Sequence, residues 1–521
     1  MLIRKILRTA WSYKAQFISM IIMIAIGSGV FLGFNIEWKS IEEDTSTFFE
    51  STNYADFRLY SEIGFTDEDI KAIQSISGVD AATRFLSVNA DIADAKKSLA
   101  LIVSENYTVS TMHISEGSPY DADSDGIWLS DQFAKKNGYH IGDTLTLSYK
   151  GSEISGEIVG LVKSGEMMIC TADENQLMPD FTSFGFAYIT PQKLEAALDD
   201  VFYLQINIIS DMEKAEIEET VKDSLGRTIL VTSKEEHTAY AGAQSEAEEG
   251  KTMGAILPVL FLAIGVLTMV TTMHRIAANE KTQIGTLKAL GFRDRRILWH
   301  YTSYGFMIGL FGCALGVALG YGIAAIVISP SGMMSTYFDL PDWSLMMPGF
   351  CIPVILITIT LLTLISFLSV KKMLKGTAAD ALRPYEPKVM KKSMIERWRL
   401  WGRFSFGTKW NLRDIIRHKS RSAMTLIGVV GCMVLLVGGL GMKDTMDDFM
   451  RILDLEISNY TTKVSLSETA QNSELVSLAA DLNGDWVASA GVSLEGETVV
   501  LEVYHAENGL IRFIDENNDR M

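Results

Sequence analysis

What this 521-residue sequence lacks is charge, and it lacks it in blocks. Residues 15–36, 252–273 and 422–442 hold no Asp, Glu, Lys or Arg, and neither do 343–370 or 297–338. A helix that crosses a bilayer needs roughly 20 mostly apolar residues. The runs therefore exclude a wholly soluble chain, and also a collagen-like or disordered one. Cysteine is scarce: of Cys170, Cys313, Cys351 and Cys432, three lie within charge-free runs, leaving Cys170 alone. No disulfide framework and no CxxC metal spacing is available. Catalytic patterns are missing too. His113, His140 and His237 are scattered without the spacing of a zinc helix, and Gly-x-Ser-x-Gly does not occur. Gly250-Lys251-Thr252 resembles the end of a phosphate loop, but Ser245 stands where its first glycine belongs, and Glu246, Glu248 and Glu249 would repel a nucleotide. No catalytic residue, metal site or cofactor is expected. Ion-driven carriers keep ionisable groups inside their spans, where such charges are costly; these spans have none, so any energy must come from a partner.

What is present is a multi-pass arrangement. The expected order is a cytoplasmic amphipathic helix over 1–15, spans at 16–36, 253–274, 300–328, 348–370 and 422–442, an extracytoplasmic domain over 37–250, cytoplasmic segments at 275–299 and 371–421, and the start of a second outer domain at 443–521. Charge sets the orientation. Residues 1–14 carry four bases and no acid, 275–300 six bases and two acids, and 371–421 fifteen bases and four acids, whereas 37–250 carries forty acids and fifteen bases. Short basic loops stay inside, which puts the N-terminus in the cytoplasm; the family resemblance described below implies the plasma or inner membrane. The acidity of the exported part reads as a solvated surface, with no nucleic-acid partner. Ile3, Ile6, Leu7, Ala10 and Trp11 recur at helical spacing with Arg4, Lys5 and Arg8 off that stripe, as in a helix lying on lipid. An uncleaved first span is preferred to a signal peptide, because the run is long and no A-x-A site follows.

The segment 37–250 mixes helix and strand. Thr66 followed by Asp67, Glu68 and Asp69 starts a helix that ends by Gly78. Strands are expected over Ser98–Val103, Leu145–Tyr149, Ser155–Val162 and Val201–Ile209, and a charged helix over Asp211–Leu225. Sliding the sequence on itself by about 405 positions exposes a repeat. Leu7-Arg8 meets Leu412-Arg413, Asn53-Tyr54 meets Asn459-Tyr460, and Leu99–Gly117 meets Val499–Asn517. The second copy stops early, so a truncated product of a longer two-repeat protein is expected.

Two segments carry the functional reading. In Glu280-Lys281-Thr282-Gln283-Ile284-Gly285-Thr286-Leu287-Lys288-Ala289-Leu290-Gly291, the residues Ile284, Leu287 and Leu290 form an apolar stripe, with Gly291 as a C-cap. Such a helix either lies on lipid or docks into a groove of a cytoplasmic partner. Gly305, Gly309, Gly312, Gly316 and Gly320 then place small residues on one helix face, where another helix can approach closely.

Ile284–Phe292, followed by bases and a glycine-rich helix, resembles the permease signature of the FtsX/MacB/LolC family. Ala378–Pro384, Ser115–Gly117 and Gly138–Thr144 resemble further motifs of that family. The resemblance implies a multi-pass α-helical membrane protein with an extracytoplasmic α+β domain, the MacB/FtsX-like permease fold. It implies that the elbow around Glu280–Gly291 is a coupling helix seated on a separate cytosolic ABC ATPase subunit, itself a dimer, with the ATPase activity in that partner. ATP-driven closure would move the outer domains and export or extract a lipid-linked or amphipathic substrate. An alternative reading is an ATP-driven regulator of an exported partner, a cell-wall hydrolase or sensor kinase, with no cargo. One departure stands out: many members carry Glu before the Ile-Gly pair, and here it is Gln283.

Overall fold

The computed structural model describes residues 8–9, 11–61, 63–93, 95–172, 176, 178–198, 201–328, 332–374 and 377–379, then 401–452 apart from 402 and 418, and pieces of 481–504. The expected amphipathic stripe at Ile3–Ala10, most of Ala378–Pro384 and most of the second repeat lie outside the described residues. The chain divides into two units, 1–425 and 426–521. Among the described residues five helices are long and apolar enough to cross a membrane: Lys14–Ser51, Thr238–Met273, Asp294–Tyr337, Cys351–Lys371 and Val429–Arg451.

Helix α1 (Lys14–Ser51) runs 38 residues, well past the charge-free stretch. Its polar end is held by Lys39, which pairs with Glu42 and Glu43 one turn on, at 2.7 and 3.0 Å. Strand β1 (Phe57–Tyr60) opens the α+β domain, followed by α2 (Asp67–Gln74). Thr66 and Asp69 form a reciprocal capping box that starts α2, as the threonine and acids predict. It stops at Gln74, four residues before Gly78, whose φ of +103° makes the turn into β2 (Val79–Ile92). Then come β3 (Ser98–Ser104), β4 (Met112–Gly117), β5 (Ile127–Ser130), α3 (Asp131–Asn137), β6 (Thr144–Tyr149), β7 (Ser152–Ser164) and β8 (Phe184–Tyr188). The set closes with α4 (Pro191–Ala197), β9 (Gln205–Ser210), α5 (Lys214–Leu225) and β10 (Leu230–Ser233). The strand expected from Val201 begins at Gln205, because Phe202 and Leu204 belong to the preceding exposed connection.

The strands form one mixed sheet in the order β10-β1-β9-β2-β3-β8-β5-β7-β4, with β6 bridging β2 and β7. Only β3–β8 and β5–β7 pair parallel among the described strands. One core gathers Trp128, Phe133, Phe186 and Tyr188 under α3 and α4; a second gathers Leu59, Ile73, Ile206 and Ile217 under α2 and α5. Burial of such side chains stabilises the domain, in which Cys170 is a free, buried thiol.

Helix α6 (Thr238–Asn279) returns from the domain as a single helix of 42 residues. Pro258 lies inside it and has no N–H for the carbonyl of Gly254 one turn back. Asn35 of α1, buried in the helix pair, donates Nδ2 to that carbonyl at 3.4 Å and to the Phe31 carbonyl at 2.7 Å. After α6 come α7 (Lys281–Ala289), α8 (Asp294–Ile328), α9 (Met333–Tyr337) and α10 (Cys351–Met373). Beyond these lie α11 (Phe406–Arg417), α12 (Lys419–Arg451) and the antiparallel pair β11 (Val487–Leu494) and β12 (Glu497–Tyr504). The last pair repeats the antiparallel pairing of β2 with β3, at the place where the sequence repeat aligns them.

Candidate functional site

The elbow is a sharp turn between two long helices. Glu280 ends α6 and starts α7, its N–H bonded to the Ile276 carbonyl and its own carbonyl accepting from Ile284, both at 2.9 Å. At the far end Gly291, at φ +80°, lets the chain reverse into α8, where an L side chain would be strained. Lys288 fastens this turn by donating to the Leu374 carbonyl at 2.7 Å, beside α10, while pairing with Asp294 at 3.0 Å.

The apolar stripe divides. Ile284 is buried among Met273, Ile276, Tyr301 and Val370, and Leu287 packs against the same cluster, whereas Leu290 is 70% exposed. Positions i, i+3 and i+6 drift around a 3.6-residue helix, so three such residues do not share one face. Two of the three stripe residues, Ile284 and Leu287, therefore pack into the chain's own core. Glu280 and Gly285 are buried as well. Glu280 accepts hydrogen bonds from Thr9 at 3.3 Å and from the Tyr301 hydroxyl. The outward face is Lys281, Thr282, Gln283, Thr286, Ala289 and Leu290, continued by the exposed Arg293, Arg295 and Arg296. It is polar and basic with one apolar tip.

The five striped glycines of α8 face neighbouring helices of this chain, whereas the sixth, Gly322, faces open space. A Cβ on Gly305 would lie 2.5 Å from Ser366, and one on Gly309 3.2 Å from Ile359, both on α10. At Gly312, Gly316 and Gly320 the neighbours are Ile24, Ser28 and Leu32 of α1. The stripe thus turns across two partners, and α1 sits against α8 along nearly the whole bilayer depth.

At the opposite end of α6 is a cluster that sequence reasoning missed. Arg58, fully buried on β1, makes a bidentate pair with Glu166 through Nε at 2.9 Å and Nη2 at 2.6 Å. Ser110 donates to the same carboxylate at 2.5 Å, and Asn207 of β9 at 3.4 Å. His237, the residue that precedes α6, lies 3.4 Å from Glu166 and 2.6 Å from the Tyr54 hydroxyl, just past the end of α1. Burial alone would lift the Glu166 carboxyl, but the Arg58 guanidinium outweighs it and holds the group below its ordinary value. Burial pushes the His237 imidazole down to about 4. Glu166 pulls the other way, but its charge is already taken by Arg58, whose own charge opposes an imidazolium. Of the other two histidines of the outer domain His113 is half-buried and His140 exposed, and Cys170 is buried in the domain core.

A second buried ion cluster ties the α8–α10 connection to the domain. Lys163 of β7 bridges Asp339 and Asp131, the latter at 3.3 Å, and the Asp339 N–H donates to the Met168 carbonyl at 2.8 Å. Further along, Ser344 donates twice to Asp44 of α1, and the Met346 N–H donates to Ser40. Among the described residues no group of three or more His, Cys, Asp and Glu side chains is placed to hold a metal.

Comparison with known proteins places two domains on this chain. The MacB-like periplasmic core domain matches residues 17–208, and the FtsX-like permease C-terminal domain matches 255–378, together more than half of the chain. An uncharacterized ABC transporter permease of Methanocaldococcus jannaschii is 24% identical over 291 residues, covering 50% of this chain and 66% of that protein. Among solved structures, the extracellular domain of the ABC-type transporter YknZ from Gram-positive bacteria matches at 14% identity, covering 34% of this chain and 99% of its own, with a TM-score of 0.25. The periplasmic region of MacB from Actinobacillus actinomycetemcomitans matches at 11% identity, covering 38% and 94%, also at 0.25.

Proposed function

We propose, from the premise that this chain is an ABC transporter permease of the FtsX/MacB type, that it couples a separate cytosolic ATPase to movement of its outer domain. The N-terminus and the Lys281–Leu290 elbow lie in the cytoplasm, as their basic flanks require. The observation that carries the reading is the continuity of α6. One helix of 42 residues, about 63 Å at helical rise, joins the elbow to the outer domain, and a buried polar contact holds each end. Glu280 ties the inner end to Tyr301, and at the outer end His237 shares a 2.6 Å hydrogen bond with the Tyr54 hydroxyl beside the Arg58–Glu166 pair. A push on the elbow cannot be absorbed by loose loops and is delivered to the base of the domain. The ATPase, a dimer, reads the polar face of α7 and the exposed Leu290. The cargo is lipid-linked or amphipathic, in keeping with spans that offer no charged path for a polar solute.

The exposure of each residue selects the test. Leu287→Asp would disturb the packed cluster, so the informative change is Leu290→Asp with Gln283→Arg, both at exposed positions. Affinity purification of the full chain from its native membrane should recover a soluble ATPase, and this double variant should lose it by about tenfold at an unchanged melting temperature. Recovery of the same ATPase by the variant would place the contact elsewhere. If even the unaltered chain recovers none, coupling through this elbow is wrong.

A further inference from the structure

The chain between α8 and α10, residues 332–350, is a strap laid against the base of the α+β domain. Phe338 is fully buried and Met334 and Leu340 nearly so, in one cluster with Phe48 of α1, Ile169 of the domain and Ala243 of α6. The Asp339 N–H donates to the Met168 carbonyl at 2.8 Å, and Ser344 holds Asp44 of α1 through two hydrogen bonds. These contacts give the strap an apolar seat. The side chain at its centre is nevertheless a carboxylate, that of Asp339, with no exposure to water.

The groups that face Asp339 are Lys163 of β7, Asp131 and Lys135 of α3, and Cys170. Lys163 and Asp131 are as dry as Asp339 itself, whereas Lys135, 2.8 Å from Asp131, is exposed. Burial and the Asp339 charge both push the Cys170 thiol up, so it stays neutral. With every other group ionised, the dry part of the cluster holds two carboxylates around one ammonium. Asp339 gives Oδ1 to Lys163, while its Oδ2 is buried with no hydrogen-bond partner among the described residues. A surplus buried charge with an unsatisfied acceptor is costly. A proton on Asp339 removes the surplus and still leaves Lys163 paired with Asp131 at 3.3 Å. Burial accordingly holds the Asp339 carboxyl above its ordinary value, against the pull of Lys163.

We propose that the strap is a proton-dependent clamp on the outer domain: protonated Asp339 keeps it seated, and ionisation of Asp339 lets it lift. In the lifted state the carboxyl meets water and returns to its ordinary value, so the seated state binds the proton more tightly. Seating is therefore strongest below the ordinary carboxylate range and weakens as the pH rises through the raised value of the seated group. The strap holds the outer ends of α8 and α10, and Lys288 of the elbow is fastened beside the inner end of α10. For its consequence the clamp rests on the coupling proposed above, but seating itself requires no ATPase.

The test is hydrogen–deuterium exchange of the full chain in nanodiscs from about pH 4.5 to about pH 7.5, read on the peptide that spans Phe338–Leu340. Each variant is compared with the parent at the same pH. Asp339→Asn keeps the shape of the side chain and removes its charge. At the alkaline end the parent strap should exchange about tenfold faster than the strap of this variant, and the two should converge at the acid end. Asp131→Asn leaves Lys163 to Asp339 alone and should likewise slow exchange of the strap at the alkaline end. The acid response of His237 is common to all three proteins and cancels in the comparison, and exchange of β3 (Ser98–Ser104) verifies at each pH that the domain is folded. A strap no better protected than the parent's at the alkaline end in either variant, or a parent-to-variant ratio that does not change with pH, overturns the proposal and leaves Lys163–Asp339 a fixed structural tie. Recovery of an ATPase through the elbow is untouched by that result, so the two readings fail separately.

Discussion

Removing one partner of the Arg58–Glu166 pair should damage the outer domain far more than removing both. Each side chain is at most 4% exposed, so neither charge can turn to water when its partner is lost. Breaking a buried pair of this kind costs about 3–5 kcal/mol, whereas replacing it with apolar groups of similar volume is often neutral. For a domain of this size one kcal/mol moves the melting temperature by roughly 2–4 °C, so Glu166→Ala and Arg58→Met should each lower it by about 6–20 °C. Arg58→Met with Glu166→Leu should recover most of that, because Ser110 and Asn207 still satisfy each other at 3.0 Å. The assay is intrinsic-fluorescence melting of the solubilised chain at neutral pH, at low and high salt. A buried pair is screened little, so the differences should persist in salt. A double variant that melts no higher than the single ones, or Glu166→Ala within about 2 °C of the parent, would refute the view that this pair anchors the domain.

Two further outcomes follow from the same helix. Because the His237 imidazole is held down at about 4, the unfolded chain takes up a proton below about pH 6.5 that the folded chain refuses. Stability should be complete above pH 6.5 and fall by up to about 3 kcal/mol as the pH drops towards 4, and His237→Gln should flatten melting curves compared at pH 7 and 5. Glu166 works in the same direction at lower pH, since its depressed value means that its contribution is lost only as the pH falls below the ordinary carboxylate range. In the membrane, Asn35→Leu strands the Gly254 carbonyl and the Trp38 N–H, at a cost of about 1–3 kcal/mol. Pro258→Ala restores an N–H to that carbonyl, so Asn35→Leu/Pro258→Ala should melt above Asn35→Leu alone; additive losses in that cycle would show that the Asn35 contact does not serve Gly254.

The features legible in the sequence are those whose cause is local. A bilayer tolerates no unpaired charge, so charge-free runs mark the apolar cores of the helices at Lys14–Ser51 and Asp294–Ile328. The same count says nothing of how far a helix continues once charges resume. α1 runs on to Ser51 because Lys39, Glu42 and Glu43 support it as an ordinary soluble helix would be supported. The Thr66–Asp69 cap is likewise written in four adjacent residues. Glu166, by contrast, is 108 positions from Arg58 and 56 from Ser110, and no spacing rule joins them. Asn35 looks like a stray polar residue at the end of a span until Pro258, more than two hundred positions away, exposes the carbonyl that it serves.

The elbow shows the other boundary of such reasoning. Helical spacing reveals that Ile284 and Leu287 must be sheltered, but it is silent on what shelters them. The chain's own Tyr301 and Val370 do so, which leaves an outward face defined by Lys281, Gln283 and Leu290 rather than by the most apolar residues. That division has a mechanical consequence. Held by Ile284, Leu287 and Lys288, the elbow helix is fastened to the core it shares with α8 and α10, and under the coupling proposed above an ATPase would touch only its polar side. Under that proposal, specificity for an ATPase would reside in a few exposed side chains that can change without unfolding the chain. Gln283 is one of these exposed positions.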